Sequence, residues 1–365
     1  MLCPSIISYP SLAHNPAFYE LFVTAPAAID FSRFLCYNGG NQATASGPVR
    51  EADTIRKERC VPCGNGGGGR EYAMITTDIQ KLRDPCILVE DGVYYAYGTG
   101  WVCYKNTSGH LQGPWIKLGT VASVADGARD GGDHWAPEVH RYGGAYYMFT
   151  TYRSSLTGRH GCTILRSDSP EGPFTEITDG PITPADWDAI DGTLYIDPEG
   201  QPWMVFVHEW ICRPDRVGSF AAAKLSEDLT RFISEPMELF RADEPAWAVM
   251  GVTDGCWMYT TREGQLLMIW SNFDAHGYVV AVARSSNGRP DGEWIHEEEL
   301  LYSKSMTGTY DGGHAMIFTD TDGQMYLSFH SPNAPTDTRK ETPVFLAIRE
   351  EEGRILWDEP KPLGE

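Results

Sequence analysis

Asp91-Gly-Val-Tyr-Tyr-Ala-Tyr97, Gly143-Gly-Ala-Tyr-Tyr-Met-Phe149, Glu199-Gly-Gln-Pro-Trp-Met-Val-Phe206, Glu263-Gly-Gln-Leu-Leu-Met-Ile-Trp270 and Asp322-Gly-Gln-Met-Tyr-Leu-Ser-Phe329 are five versions of one phrase. Each is a tight glycine turn followed by a run rich in aromatic and β-branched residues, the pattern of a hairpin entering a buried strand. The copies recur at roughly 50 to 65 residues, a period that signals repeated supersecondary units. A unit of that length holds about four short strands, and such sheets arranged radially make a propeller. Five phrases therefore predict an all-β fold, a five-bladed β-propeller.

Six to ten residues upstream of each turn stands an ionisable side chain. These are Asp84 in Arg83-Asp-Pro85, Glu138 in Trp135-Ala-Pro-Glu138, Asp191 in Ile190-Asp-Gly192, Asp254 in Thr253-Asp-Gly255 and His314 in Gly312-Gly-His314. If the repeats are blades, the five positions are equivalent and fall on or beside the innermost strands. Four acids and a histidine would then converge on one axial pocket. Burying them together is costly unless chemistry or a cation compensates. An active site is the expectation; a satisfied structural network is the alternative.

The chain has 365 residues and a net charge of −21. So acidic a surface repels phosphate backbones, which argues against a nucleic-acid partner and leaves a neutral ligand such as a sugar unaffected. The 11 Trp and 18 Tyr suit both propeller packing and sugar stacking. No apolar run approaches the length that crosses a bilayer, so no membrane association is expected. The first residues, Met1-Leu-Cys-Pro-Ser-Ile-Ile-Ser8, make a poor signal peptide. Nine cysteines without a repeating pattern do not form a disulfide framework. Cys86 and Cys256 read as buried small residues, and Cys60-Val-Pro-Cys63 lacks the second pair that a zinc site needs. A reduced, cytoplasmic protein is the expectation.

Residues 1–73 read as a poorly ordered extension, ending in the glycine-rich run Gly64-Asn-Gly-Gly-Gly-Gly69. The propeller is expected over residues 74–365, with Met74 a candidate natural start. Gly113-Pro-Trp115, Gly172-Pro-Phe174 and Gly292-Glu-Trp294 look like outer-strand caps whose aromatic packs between blades. Residues 181–188 and 236–250 are irregular, and long loops on a rigid scaffold often carry binding residues. Ala221–Leu229 is the best helical stretch and reads equally well as a strand.

Glycoside hydrolysis needs paired carboxylates, one ionised to activate water and one protonated to donate to the leaving oxygen. A third acid nearby raises the pKa of the donor. The motifs around Asp84, Glu138 and His314, together with Ile190-Asp-Gly-Thr-Leu-Tyr-Ile-Asp197, occur at spacings and in an order that resemble glycoside hydrolase family 43. That resemblance covers about residues 82 to 357 and implies a five-bladed propeller of inverting hydrolases acting on arabinofuranosides, xylosides and sometimes galactosides. It implies Asp84 as general base and Asp191 as pKa modulator. It also implies His314 on the axis, by a bound calcium or sodium ion, with a hydrogen-bonded core histidine as the plain alternative. No cofactor is implied beyond such an ion.

The general acid is where the chain departs from the resemblance. The family's Glu-Gly-Pro motif is replaced by Thr253-Asp-Gly-Cys256, which puts Asp254 at that position. Glu209 is the other candidate, because it lies in the polar tip of the strand ending Phe206-Val-His-Glu-Trp210, 18 residues beyond Asp191. Antiparallel pairing would return it to the Asp191 end of the blade. Its plain alternative is a salt bridge to Arg213. His134, Trp135, Glu138, His208 and Trp210 are candidates for sugar contact, whereas Trp203 and Trp270 read as core. Arg153 and Arg159 read as solvated surface that could hold an acidic sugar.

The reading that follows is an exo-acting, inverting glycosidase releasing arabinofuranosyl or xylosyl residues from plant-derived oligosaccharides. A β-galactosidase of the same family and a non-catalytic carbohydrate-binding propeller are the alternatives. The related retaining fructosidases fit less well, because their nucleophile and Glu-Cys acid motifs are missing. A monomer or small homo-oligomer is expected, since closed propellers leave few free strand edges.

Overall fold

Each of the five glycine turns closes a hairpin between the first and second strands of a four- or five-stranded sheet. Gly92, Gly144, Gly200, Gly264 and Gly323 all take the left-handed backbone (φ 79 to 85°) that such tight turns ask of glycine. In the computed structural model, which describes residues 74–334 and 337–358, the five sheets are the blades of an all-β propeller. The expectations for residues 1–73, including Cys60 and Cys63, lie outside the described residues.

From the axis outward, blade 1 runs Cys86–Glu90, Val93–Gly98, Val102–Asn106 and Ile116–Thr120. Blade 2 runs Trp135–Tyr142, Ala145–Arg153, His160–Ser167 and Phe174–Glu176, with Ala122–Ser123 added at its outer edge. Blade 3 runs Ala189–Ile196, Pro202–His208, Ser219–Lys224 and Met237–Arg241, so the ambiguous Ala221 stretch is strand. Blade 4 runs Asp254–Thr260, Leu266–Asp274, Gly277–Ser285 and Trp294–His296. Blade 5 runs Gly313–Thr319, Met325–Ser331 and Thr342–Glu351, and its outer edge is completed by Met74–Thr76 and Arg354–Trp357. Met74–Thr76 pairs with Val344–Leu346, so the N-terminal strand closes the ring against the C-terminal blade.

The outer-strand caps behave as their sequence predicts. Phe174 and Trp294 open their fourth strands, Trp115 directly precedes its own, and all three are buried. Each ring also touches a neighbouring blade: Trp115 meets Phe345 at 6.5 Å, Phe174 meets Tyr97 at 6.1 Å and Trp294 meets Phe240 at 6.0 Å. Burying such a side chain stabilises by about 1.5–3 kcal/mol, so these rings fasten blade to blade as well as filling cores. Trp203 and Trp270 are fully buried, as their mid-strand positions imply. Cys86 and Cys256 are buried free thiols.

The heads of the inner strands place the functional groups. Each carries one residue in the left-handed region: Asp84 (φ 55°), Ala136 (39°), Asp191 (55°), Gly255 (47°) and His314 (54°). In blades 2 to 5 a register shift accompanies it, and such bulges re-aim side chains. The equivalent set is therefore not the one the spacing predicts. Ala136 and Gly255 occupy the positions expected for Glu138 and Asp254, which are displaced two residues onward and one residue back.

A common bond holds four of these heads. Backbone N–H groups donate to a polar side chain at the end of the preceding blade's second strand. These bonds are Ala136 to Thr99 (3.1 Å), Asp191 to Thr151 (3.0 Å), His314 to Ser271 (2.9 Å) and Asp84 to His330 Nδ1 (3.4 Å). In blade 3 the matching residue is Val207, paired with Ile190, which has no acceptor to offer. The Gly255 N–H donates instead to the Asp191 carboxylate at 2.9 Å.

Candidate active site

Asp84, Asp191, Asp254 and His314 meet on the axis. His314 Nδ1 lies 3.4 Å from Asp84 Oδ1, 3.8 Å from Asp191 Oδ2 and 3.7 Å from Asp254 Oδ1. Gly255 makes this approach possible, because a Cβ there would stand 2.9 Å from His314 Cγ and 3.0 Å from its Cα. Burial works against a charged imidazole, but the three carboxylates outweigh it and raise His314 to about 10. The cluster thus carries its own cation.

The three acids differ by environment. Burial pushes Asp84 upward, yet His314 and Arg83 prevail and hold it below the usual carboxylate range. Its Oδ2 accepts from Thr99, while Oδ1 has no hydrogen bond among the described residues. Asp254 is also held low against its burial, by His314, and Tyr278 Oη donates to its Oδ2 at 2.6 Å. Asp191 receives one backbone N–H, and burial with the adjacent Asp254 charge drives it well up. Of that pair, Asp191 is the one pushed toward its protonated form.

Glu209 directly follows the second strand of blade 3, and the pairing of Val207 with Ile190 returns it to the Asp191 end as expected. Its side chain is buried and Oε2 has no hydrogen-bond partner among the described residues. Burial, then the charges of Asp188, Asp191 and Asp254, raise its carboxyl well above the ordinary value. The alternative salt bridge to Arg213 does not form, since Arg213 pairs with Glu238 at 2.9 Å.

The remaining candidates divide. Glu138 is buried two residues past the strand head, its Oε2 3.3 Å from His140 Nε2 and its charge beside the Cys86 and Cys256 thiols. It does not join the acid group at His314, which corrects the expectation of four converging acids. Trp135 stacks on His160 with centroids 4.2 Å apart, and His134 stacks on Trp101 at 4.0 Å with Nε2 on Asp130. His208 stacks on Trp187 at 3.8 Å, in the irregular 181–188 segment, and burial beside Arg213 lowers it to about 4. Trp210 is buried with its Nε1 unpartnered among the described residues. Arg153 and Arg159 are not free surface charges: Arg153 binds Asp133 and Arg159 binds Asp188.

Thr99, Tyr278, His330 and Asp188 have no motif of their own in the sequence and enter only through contacts. Two groups could offer three ligand atoms to a metal: Asp191, Asp254 and His314, and His160, Asp188 and Glu209. Calcium takes six to eight oxygens, waters included, so an ion on the axis would draw most of its ligands from water. In the second group Arg159 pairs with Asp188 and brings a positive charge of its own.

A propeller with one aspartate tuned low on its axis and a buried glutamate tuned high at the end of a blade 3 strand has the two oppositely tuned carboxyls that glycoside hydrolysis uses. The comparisons agree. The profile of the glycosyl hydrolases family 43 matches residues 78–348, and the chain belongs to that family. It is similar to the crystal structure of an endo-arabinase from Bacteroides thetaiotaomicron, at 36% identity and a TM-score of 0.67 over 78% of this chain and 99% of that one. It is 31% identical over 180 residues to the extracellular exo-alpha-(1->5)-L-arabinofuranosidase ArbA of Cellvibrio japonicus, which is 43% of this chain and 47% of that protein. It is 24% identical over 258 residues to a probable arabinan endo-1,5-alpha-L-arabinosidase A of Aspergillus flavus, covering 68% and 74%. The protein is a family 43 glycosidase.

Proposed function

We propose that the enzyme hydrolyses α-L-arabinofuranosyl bonds of arabinan or arabino-oligosaccharides with inversion, using Asp84 as general base and Glu209 as general acid. The observation that carries this is the opposite tuning of the two groups: Asp84 is held ionised by His314 and Arg83, whereas Glu209 is buried beside carboxylates. Asp254 lacks the property a donor needs, since His314 and Tyr278 hold it as an anion. In the reaction, a water gives a proton to Asp84 Oδ1 as its oxygen bonds the anomeric carbon. The glycosidic bond breaks with its electron pair on the leaving oxygen, which takes the Glu209 proton. Exchange with solvent then restores both carboxyl groups.

Arabinose specificity is favoured over xylose by the arabinan-acting relatives. Cleavage from the chain end, the expectation from sequence, is supported by the exo-acting relative; internal cleavage is supported by the endo-acting ones. Digestion of linear α-1,5-arabinan, followed by chromatography and by NMR of the first product formed, tests the proposal. Arabinose alone means terminal attack and a ladder of oligomers means internal attack. A first-formed β-anomer means inversion from the α-bond. Full activity in Asp84→Ala would overturn the base assignment.

A further inference from the structure

Glu209 has a close acidic neighbour outside the axial group. The Glu209 N–H donates to the Asp188 carbonyl at 2.8 Å, which ties the donor's backbone to the segment entering blade 3. The Asp188 carboxylate is fixed from two directions, by Arg159 Nη1 at 2.6 Å and by the His160 backbone N–H at 3.1 Å. The His160 ring stacks on Trp135, and its Nε2 lies 3.2 Å from Asp133 Oδ2. An ionised carboxylate only accepts, so Nε2 carries the hydrogen of that contact, and Nδ1 is the ring atom turned toward Asp188 and Glu209. That Nδ1 is 3.8 Å from Asp188 Oδ1 and 3.9 Å from Glu209 Oε2. Neither Nδ1 nor Oε2 has a hydrogen-bond partner among the described residues, although both residues are buried.

We propose that Asp188 and His160 are positioning residues for the proton donor: Asp188, anchored by Arg159 and by the His160 N–H, holds a fixed negative charge against the Glu209 carboxyl, and the His160 ring confines that carboxyl. The inference rests on Glu209 being the general acid. Other charges face the same carboxyl. Asp191 and Asp254 reinforce Asp188 from the axis, Arg153 opposes it, and the Cys212 thiol lies on the same turn. Arg159 and Asp133 act through Asp188 and His160. After burial itself, Asp188 is the largest influence raising Glu209, ahead of Asp191, to which the family resemblance assigns the modulating role.

The test is the pH profile of kcat/KM on arabinobiose, an unactivated substrate, for the wild type and for Asp188→Asn, Asp188→Glu and Arg153→Gln. The alkaline limb reports the donor. It moves down by about one pH unit in Asp188→Asn, the size that a charge within a few ångströms produces. It stays in place in Asp188→Glu and moves up in Arg153→Gln, while the acid limb set by Asp84 holds. Opposite shifts of one limb cannot come from general loosening. His160→Phe, which keeps a ring against Trp135, lowers kcat and leaves KM. An alkaline limb unmoved in folded Asp188→Asn, or an unchanged kcat in His160→Phe, overturns the inference while leaving the donor assignment intact. Wild-type kcat/KM in a parallel Glu209→Gln variant instead overturns the donor assignment itself.

Discussion

Replacing Glu209 by Gln removes the transferable proton and almost nothing else. The amide is isosteric, and Oε2 has no hydrogen bond among the described residues to lose. The carboxyl it replaces is pushed up by burial and by Asp188, Asp191 and Asp254, the direction that favours its proton-donating form. General acid catalysis contributes about 10²–10⁴ in rate, equivalent to about 3–5 kcal/mol of barrier. That full loss is expected for arabinobiose, whose leaving group is a sugar hydroxyl. Nitrophenol departs as a stabilised anion and needs little protonation, so the loss on nitrophenyl arabinofuranoside is about tenfold or less. The assay is kcat/KM on the two substrates side by side, with a melting curve to show an unchanged fold. Asp254→Asn is the control, because it disturbs the His314 cluster and so lowers both activities together. Equal losses on both substrates in Glu209→Gln, or leaving-group dependence in Asp254→Asn, would refute the assignment.

His314→Gln leaves the axial carboxylates without their cation, and breaking such a buried pairing costs about 3–5 kcal/mol. His314 is raised from 6.5 to about 10 on folding, so its stabilisation is complete below about pH 6.5 and is lost as pH rises through about 10. Urea unfolding of wild type and variant at pH 6 and above pH 10 checks this, and a gap that widens with pH contradicts it. Gly255→Ala combines a left-handed backbone with a Cβ 2.9 Å from His314 Cγ. A destabilisation of about 2–5 kcal/mol is expected, together with loss of activity. Treatment with EDTA leaves activity unchanged if His314 is the cation of the cluster, whereas a loss restored by calcium means that the axis needs an ion.

The repeat was legible because a propeller blade writes its hairpin turn and its buried second strand locally. A glycine with positive φ, then alternating large apolar residues, are demands that each blade makes of its own sequence. The acids at Asp84 and Asp191 were legible for the same reason, since each precedes its turn at a near-constant distance. Glu209 was reachable too, because antiparallel pairing fixes where a return strand ends. The equivalences in blades 2 and 4 were not. A bulge shifts register by a residue or two without any mark in the sequence, so Glu138 and Asp254 only appeared to match the others.

Sequence by itself thus determined the architecture and nominated the carboxylates. Tertiary structure decided their charge states, because these depend on groups from different blades brought within a few ångströms. Asp84 is held low by His314 of blade 5 and by Arg83, Asp254 is bonded by Tyr278 of its own blade, and Glu209 is pushed up by its burial and by Asp188 at the entrance to blade 3. Burial and Coulomb interaction act through space, and neither follows from spacing along the chain.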